Sequence, residues 1–269
     1  MRRRFAIAVL ALGLGASAMS ADIDEWKELM HRGDLAGFRQ ALGGRAPELA
    51  DGRGRTLLHL AMVEPIGDAR PAMVRALLAV RANMTARSEG GYTPVHYAAF
   101  WCSACLRLLL DAGAPVQPRS DRGRTPLHGA DAASVPLLLA AGADPAARDA
   151  DGLVPLHLTQ HEALLGPGVD ARDGHGLTPL HHAALRADLD GVRWLLARGA
   201  DPRLETTTPH AADEMSPEWK VKPEVLPAGQ RPFDLARWRH EQSKWSTGQY
   251  RSVVEALDAV TPRRGWLRR

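Results

Sequence analysis

The residues of this 269-residue chain that could do chemistry fall into three groups: two cysteines three apart, eleven histidines, and aspartates around position 150. Trp101-Cys102-Ser103-Ala104-Cys105 has the CxxC spacing at which two thiols close a local disulfide or exchange one with a substrate. Zinc would need two further ligands that this spacing does not bring. Asp149-Ala150-Asp151-Gly152 resembles part of a calcium loop, but Leu158 stands where such a loop needs a bidentate glutamate, which excludes calcium. No HExxH, P-loop lysine motif or GxSxG elbow appears beyond residue 21, and no two acids stand apart as an acid–base couple. These residues therefore point to no catalytic group, no metal and no cofactor.

The histidines lead to the elements that carry them. His59, His96, His128, His157 and His181 each take the fourth place of a recurring string: TLLHLA from Thr56, TPVHYA from Thr93, TPLHGA from Thr125, VPLHLT from Val154 and TPLHHA from Thr178, with a degenerate RPFDLA from Arg231. The strings start 37, 32, 29, 24 and 53 residues apart, a ragged spacing. The most complete copy is Leu177 to Arg203. Thr178 can cap a helix, Pro179 suits its first position, and Leu180, Ala183, Ala184 and Leu185 share a face. After Asp188 the pattern restarts with Val192, Leu195 and Leu196, and Gly199 is placed to end a second helix. Two helices this short cannot bury their apolar side alone, so the unit needs similar units on both faces.

These strings, with GAPVQPRSDRG, GADPAARDADG and GADPRLE between them, resemble the ankyrin repeat family over roughly residues 22–260. The resemblance implies an all-α fold, a solenoid of stacked helix-turn-helix units with projecting β-turn loops, irregular in the middle. One domain over 21–262 is expected: capping helices over 22–50, repeats starting near 55, 92, 124, 153 and 177, an insertion over 205–230, and a closing repeat over 231–260. Trp26, Leu29, Leu35 and Phe38 would cover one end of the core, and Val253, Val254 and Leu257 the other. The segment EPIGDARP reads as a surface loop, and Gly166-Pro167-Gly168 should cut a second helix short. The five histidines become structural, each ring bonding the signature threonine and the neighbouring turn. Cys102 and Cys105 would fall in a turn between two helices, which favours a plain disulfide or two free buried thiols over a redox site.

In that family proteins are bound by the projecting turns and the exposed side of each first helix. The corresponding positions here are Arg55, Tyr92, Phe100, Trp101, Arg122, Arg124, Arg148, Asp151 and His175. Arginines and aromatics are enriched in binding hot spots, and Tyr92, Phe100 and Trp101 come from one repeat, with Arg122 and Arg124 one repeat on. The expected protein is a non-catalytic monomer that holds one protein partner. The alternatives are a thiol–disulfide redox protein using Cys102 and Cys105, and a scaffold resembling periplasmic ankyrin proteins that support peroxide defence.

The opening MRRRFAIAVLALGLGASAMSA has a basic start, an apolar run and small residues suited to cleavage, the pattern of a secretory signal over 1–20. Its apolar run is shorter than the roughly 20 residues a membrane span needs, so the expected location is the periplasm, with no membrane insertion after signal removal. Removing Arg2, Arg3 and Arg4 takes the 34 basic residues to 31, equal to the 31 acids, and the net charge of +3 falls to 0. A balanced chain with only a short basic tail over 263–269 is not indicated as a nucleic-acid binder.

Overall fold

The computed structural model describes residues 23–43, 49–64, 69–211, 225–226, 228–242 and 247–261. The signal over 1–20, the tail over 263–269, residues 65–68 of the EPIGDARP loop and the heart of the insertion at 212–224 lie outside them. Two compact units are distinguished, Met1–Asp121 with Ala133–Ala143, and Arg122–Ala132 with Asp144–Arg269.

The first unit opens on α1 (Ile23–His31) and α2 (Leu35–Leu42). Asp34 caps α2 by accepting the Gly37 N–H at 2.8 Å, and Gly43, at φ +53°, ends it. Trp26 and Phe38 are buried and meet edge to face at 5.4 Å, beside Met30 and Leu42. Leu29 and Leu35, expected in the same role, are half-buried. Then come α3 (Leu57–Val63), α4 (Ala69–Ala79), α5 (Pro94–Trp101), α6 (Ser103–Asp111) and α7 (Ser134–Ala140). Here α3 packs on α5, α4 on α6 and α6 on α7, so first helices stack on first helices and second on second.

In the second unit, the strings at Thr125 and Val154 open only single 3₁₀ turns, Pro126–Gly129 and Pro155–His157. Gly129, a poor helix former, closes the first. The helix expected to follow Val154 is reduced to a turn, Glu162–Leu164, ahead of Gly166-Pro167-Gly168. Side chains make up for the missing helix. Arg186 donates to the His157 carbonyl at 3.0 Å, Gln160 to Asp188 at 3.1 Å, and Thr159 to the His128 carbonyl at 3.4 Å.

Regular helices resume with α8 (Pro179–Leu185), α9 (Leu189–Ala197), α10 (Pro232–Gln242) and α11 (Thr247–Asp258). Every residue of α8 is buried, not a single stripe, because α9 and α10 both pack on it. Leu180, Ala183, Val192, Leu195, Ala236, Val253 and Leu257 share this core, where each fully buried leucine contributes about 1.5–3 kcal/mol. Gly199, at φ +84°, follows α9 as its spacing predicts. The insertion is closed by two-residue antiparallel strands, β1 (His210–Ala211) and β2 (Val225–Leu226), and by the Thr206 N–H donating to the Gln230 carbonyl at 2.9 Å. No described helix is long and apolar enough to cross a membrane.

Candidate interaction surface

Each signature is held by its histidine. The cap residue's N–H donates to Nδ1 three residues on, in Thr56–His59, Thr93–His96, Thr125–His128, Val154–His157 and Thr178–His181, at 3.1–3.2 Å. The four threonines also place Oγ1 2.8–3.0 Å from the same nitrogen, a contact Val154 cannot make. With Nδ1 accepting, the ring proton stays on Nε2. That N–H donates into the following repeat: His59 to the Tyr92 carbonyl, His128 to Leu153, His157 to Leu177 and His181, across the insertion, to Gln230, at 3.0–3.2 Å. Burial pushes His59 and His157 down to about 4 and His181 to about 3, so these rings stay neutral and keep donating.

The projecting turns are built on aspartates. Oδ1 of Asp51 accepts the N–H of Arg53 and Arg55, that of Asp149 those of Asp151 and Leu153, and that of Asp173 those of His175 and Leu177, at 2.8–3.0 Å. Asp149 also takes Nε of Arg124 at 3.2 Å, so the calcium-like spacing is an aspartate turn with both oxygens engaged. Gly152 sits at φ +79°, and a Cβ there would come within 2.7 Å of the Gly174 nitrogen, so no other residue fits. Neighbouring tips are tied by single backbone bonds: Glu89 to Arg53 and Asp121 to Gly90 in the first unit, and Ala150 to Arg122, Gly174 to Asp151 and Thr207 to His175 in the second, at 2.7–3.0 Å. Arginines add a second tie. Arg87 donates to the Arg119 carbonyl at 2.9 Å, Arg148 to those of Gly152 and Arg172 at 2.6 and 2.8 Å, and Arg172 to those of Gly176 and Glu205 at 3.0 and 2.9 Å.

This lattice sorts the expected contact residues. Arg55 is bonded to Asp51 at 2.8 Å, Arg124 to Asp149, and Arg148 to two carbonyls, so all three hold turns. Asp151 and His175 lend their backbones to the tip-to-tip bonds, and His175 Nδ1 lies 3.1 Å from Thr208 Oγ1. Arg122 is exposed, and its guanidinium meets no partner among the described residues. Tyr92 is half-buried with its ring against His96 at 5.4 Å. Phe100 and Trp101 touch edge to face at 4.6 Å and remain 54% and 51% exposed. Tyr92, Phe100 and Trp101 belong to the first unit, and Arg122 and Arg124 to the second.

Cys102 and Cys105 form a disulfide. The expectation that they occupy a turn between helices is corrected: α5 and α6 are joined by Cys102 alone, which caps α6 while Cys105 lies in its first turn. Cys105 is fully buried, Cys102 is half-buried, and the Cys105 N–H donates to Cys102 Sγ at 3.2 Å. Arg70 donates to the Trp101 carbonyl at 2.9 Å beside the same junction.

Residues 58–149 match a family model of ankyrin repeats in three copies, and residues 166–213 match one of ankyrin repeats in many copies. This chain is an ankyrin repeat protein. No curated protein matches it. Ankyrin repeats are generally protein–protein interaction modules and typically non-catalytic, and the all-α solenoid fold of the family is the fold described above.

One polar cluster of this ankyrin chain escaped the sequence reading. His182 is the second histidine of TPLHHA, at a place where the other copies carry Leu60, Tyr97, Gly129 and Leu158, and that contrast was the available signal. Its Nε2 donates to Asp173 Oδ2 at 2.8 Å, both side chains being almost wholly buried, and its ring meets His157 edge to face at 5.0 Å. Burial holds His182 below the usual histidine range despite the carboxylate beside it. Burial alone would raise Asp173, but the His182 and backbone hydrogen bonds hold it below the usual carboxylate range. Donor atoms of His157, Asp173 and His182 lie within 4.8 Å of one another. A cation there would have to take the His157 Nε2 that holds the Leu177 carbonyl, or the Asp173 oxygen that holds His182. The cluster is therefore a hydrogen-bond network joining one ankyrin repeat to the next.

Proposed function

We propose that this ankyrin repeat protein is a non-catalytic binding module, exported to the periplasm, that holds one partner protein through its first unit. The observation that carries this reading is the Phe100–Trp101 pair. The arginines at Arg55, Arg124 and Arg148 are spent on the protein's own turns, whereas these two adjacent aromatics leave half their surface in water. Large aromatics clustered on a protein-binding fold are the side chains from which a few residues draw most of the affinity. Tyr92, earlier in the same repeat, is half-buried. Export is supported by the basic, apolar and small-residue pattern over 1–20. An inhibitor or immunity protein, or an accessory to a periplasmic enzyme, would use such a module.

Pull-down from the exported fraction identifies the partner, and calorimetry on folded variants then locates it. Trp101→Ala is expected to weaken binding by about 2 kcal/mol or more. Wild-type affinity in Phe100→Ala and Trp101→Ala, together with loss of binding on deleting residues 212–224, would place the partner on the insertion and overturn the reading.

A further inference from the structure

The disulfide links an accessible cysteine to an inaccessible one across the first turn of a nine-residue helix. Of the two residues only Cys102 is partly exposed. Negative charge arriving on its sulfur would meet the Cys105 N–H, already 3.2 Å away. Phe100 and Trp101 immediately precede it and are exposed together, so an apolar segment docked on them would lie beside the bond.

We propose that Cys102–Cys105 is a thiol-exchange site that oxidises a pair of thiols on a polypeptide docked by apolar side chains against Phe100 and Trp101. In the first step a substrate thiolate attacks Cys102 Sγ. The new sulfur–sulfur bond forms as the Cys102–Cys105 bond breaks, and Cys105 leaves as a thiolate that takes a proton from water. In the second, the other substrate thiolate attacks the substrate sulfur of this mixed disulfide, and Cys102 leaves as a thiolate received by the Cys105 N–H. The substrate ends with one disulfide, having given two electrons to the cysteine pair, and each chain reacts once. The site shares its surface with the binding function but not its premise, because a small dithiol can reduce the pair without docking.

The test uses the whole oxidised protein against two probes: dithiothreitol, and reduced unfolded ribonuclease A as a polypeptide dithiol. Both are expected to convert the pair to two alkylatable thiols. Trp101→Ala should slow the reaction with the polypeptide on the order of fivefold relative to the same variant's reaction with dithiothreitol. In Cys105→Ser the remaining Cys102 thiol should alkylate at pH 6 on the order of tenfold faster than glutathione does, while Cys105 in Cys102→Ser should be slower than glutathione. A Cys102 thiol no faster than glutathione, or a pair that stays oxidised with either probe, overturns the proposal. So does a Trp101→Ala variant that oxidises ribonuclease at the wild-type rate. Partner binding measured on the oxidised chain is independent of all of these, so the two readings fail separately.

Discussion

Mild acid should unfold this protein through its signature histidines. In the folded chain burial holds His59 and His157 at about 4 and His181 at about 3, against a value near 6.5 for the unfolded chain. The folded pKa values are depressed, so the unfolded chain binds the protons first. The stabilisation is whole above about pH 6.5 and drains away as pH falls from there toward about 4. Between pH 7.5 and 5.5 each ring costs about 1.3 kcal/mol, or about 4 kcal/mol for the three, a large share of the ~5–15 kcal/mol that holds a typical domain. Of the carboxylates, Asp170 is held above its ordinary value by burial and opposes the loss as pH falls. Asp51 and Asp173, held low by backbone and side-chain hydrogen bonds, lose their contribution only in stronger acid. Urea unfolding followed by far-ultraviolet circular dichroism at the two pH values measures the difference. His59→Gln should remove about 1.3 kcal/mol of it, the fully buried His182, also held low by burial, adding to the wild-type total. A change below about 1 kcal/mol in the wild type would refute the reasoning, since it would mean that the imidazoles take up protons without leaving their carbonyl partners.

Two further outcomes follow from the turn and cap geometry. Val154→Thr restores the hydroxyl beside His157 Nδ1 that the other signatures have, and should raise stability by about 0.5–1 kcal/mol, read as a rise of about 2 °C in Tm; a lower Tm would mean that the buried hydroxyl finds no partner. Arg148→Ala strips donors from the Gly152 and Arg172 carbonyls and should cost about 1–2 kcal/mol of stability while leaving partner affinity unchanged, as paired thermal unfolding and calorimetry would show.

The repeat lattice was readable because its signals are local. A threonine, a proline and a histidine in fixed order specify a cap and a backbone bond whatever lies around them, and Gly166-Pro167-Gly168 stops a helix on its own. What depended on partners far along the chain was not readable. The tie from Arg148 to the Arg172 carbonyl joins positions 24 apart and is written in neither segment alone. His182 passed as one more helical residue because Asp173 approaches it only when the turn before Leu177 folds back. The cysteine pair was misplaced for a smaller reason. A single residue joins α5 to α6, and family spacing led instead to the expectation of a turn.

The shortened repeats at Thr125 and Val154 give the second unit an unusual mechanical character. Where α8 meets α9 and α10, apolar faces hold the helices, and such contact is non-directional: a small slide trades one neighbour for another at little cost. At the shortened repeats the buried Leu127, Leu156 and Leu164 are accompanied by directional ties, Arg186 to the His157 carbonyl, Gln160 to Asp188 and Thr159 to the His128 carbonyl, and hydrogen bonds tolerate little stretch or tilt before they are lost. Under load the first kind of joint is ductile and the second brittle. A pull along this unit is expected to break these three bonds before its apolar contacts part.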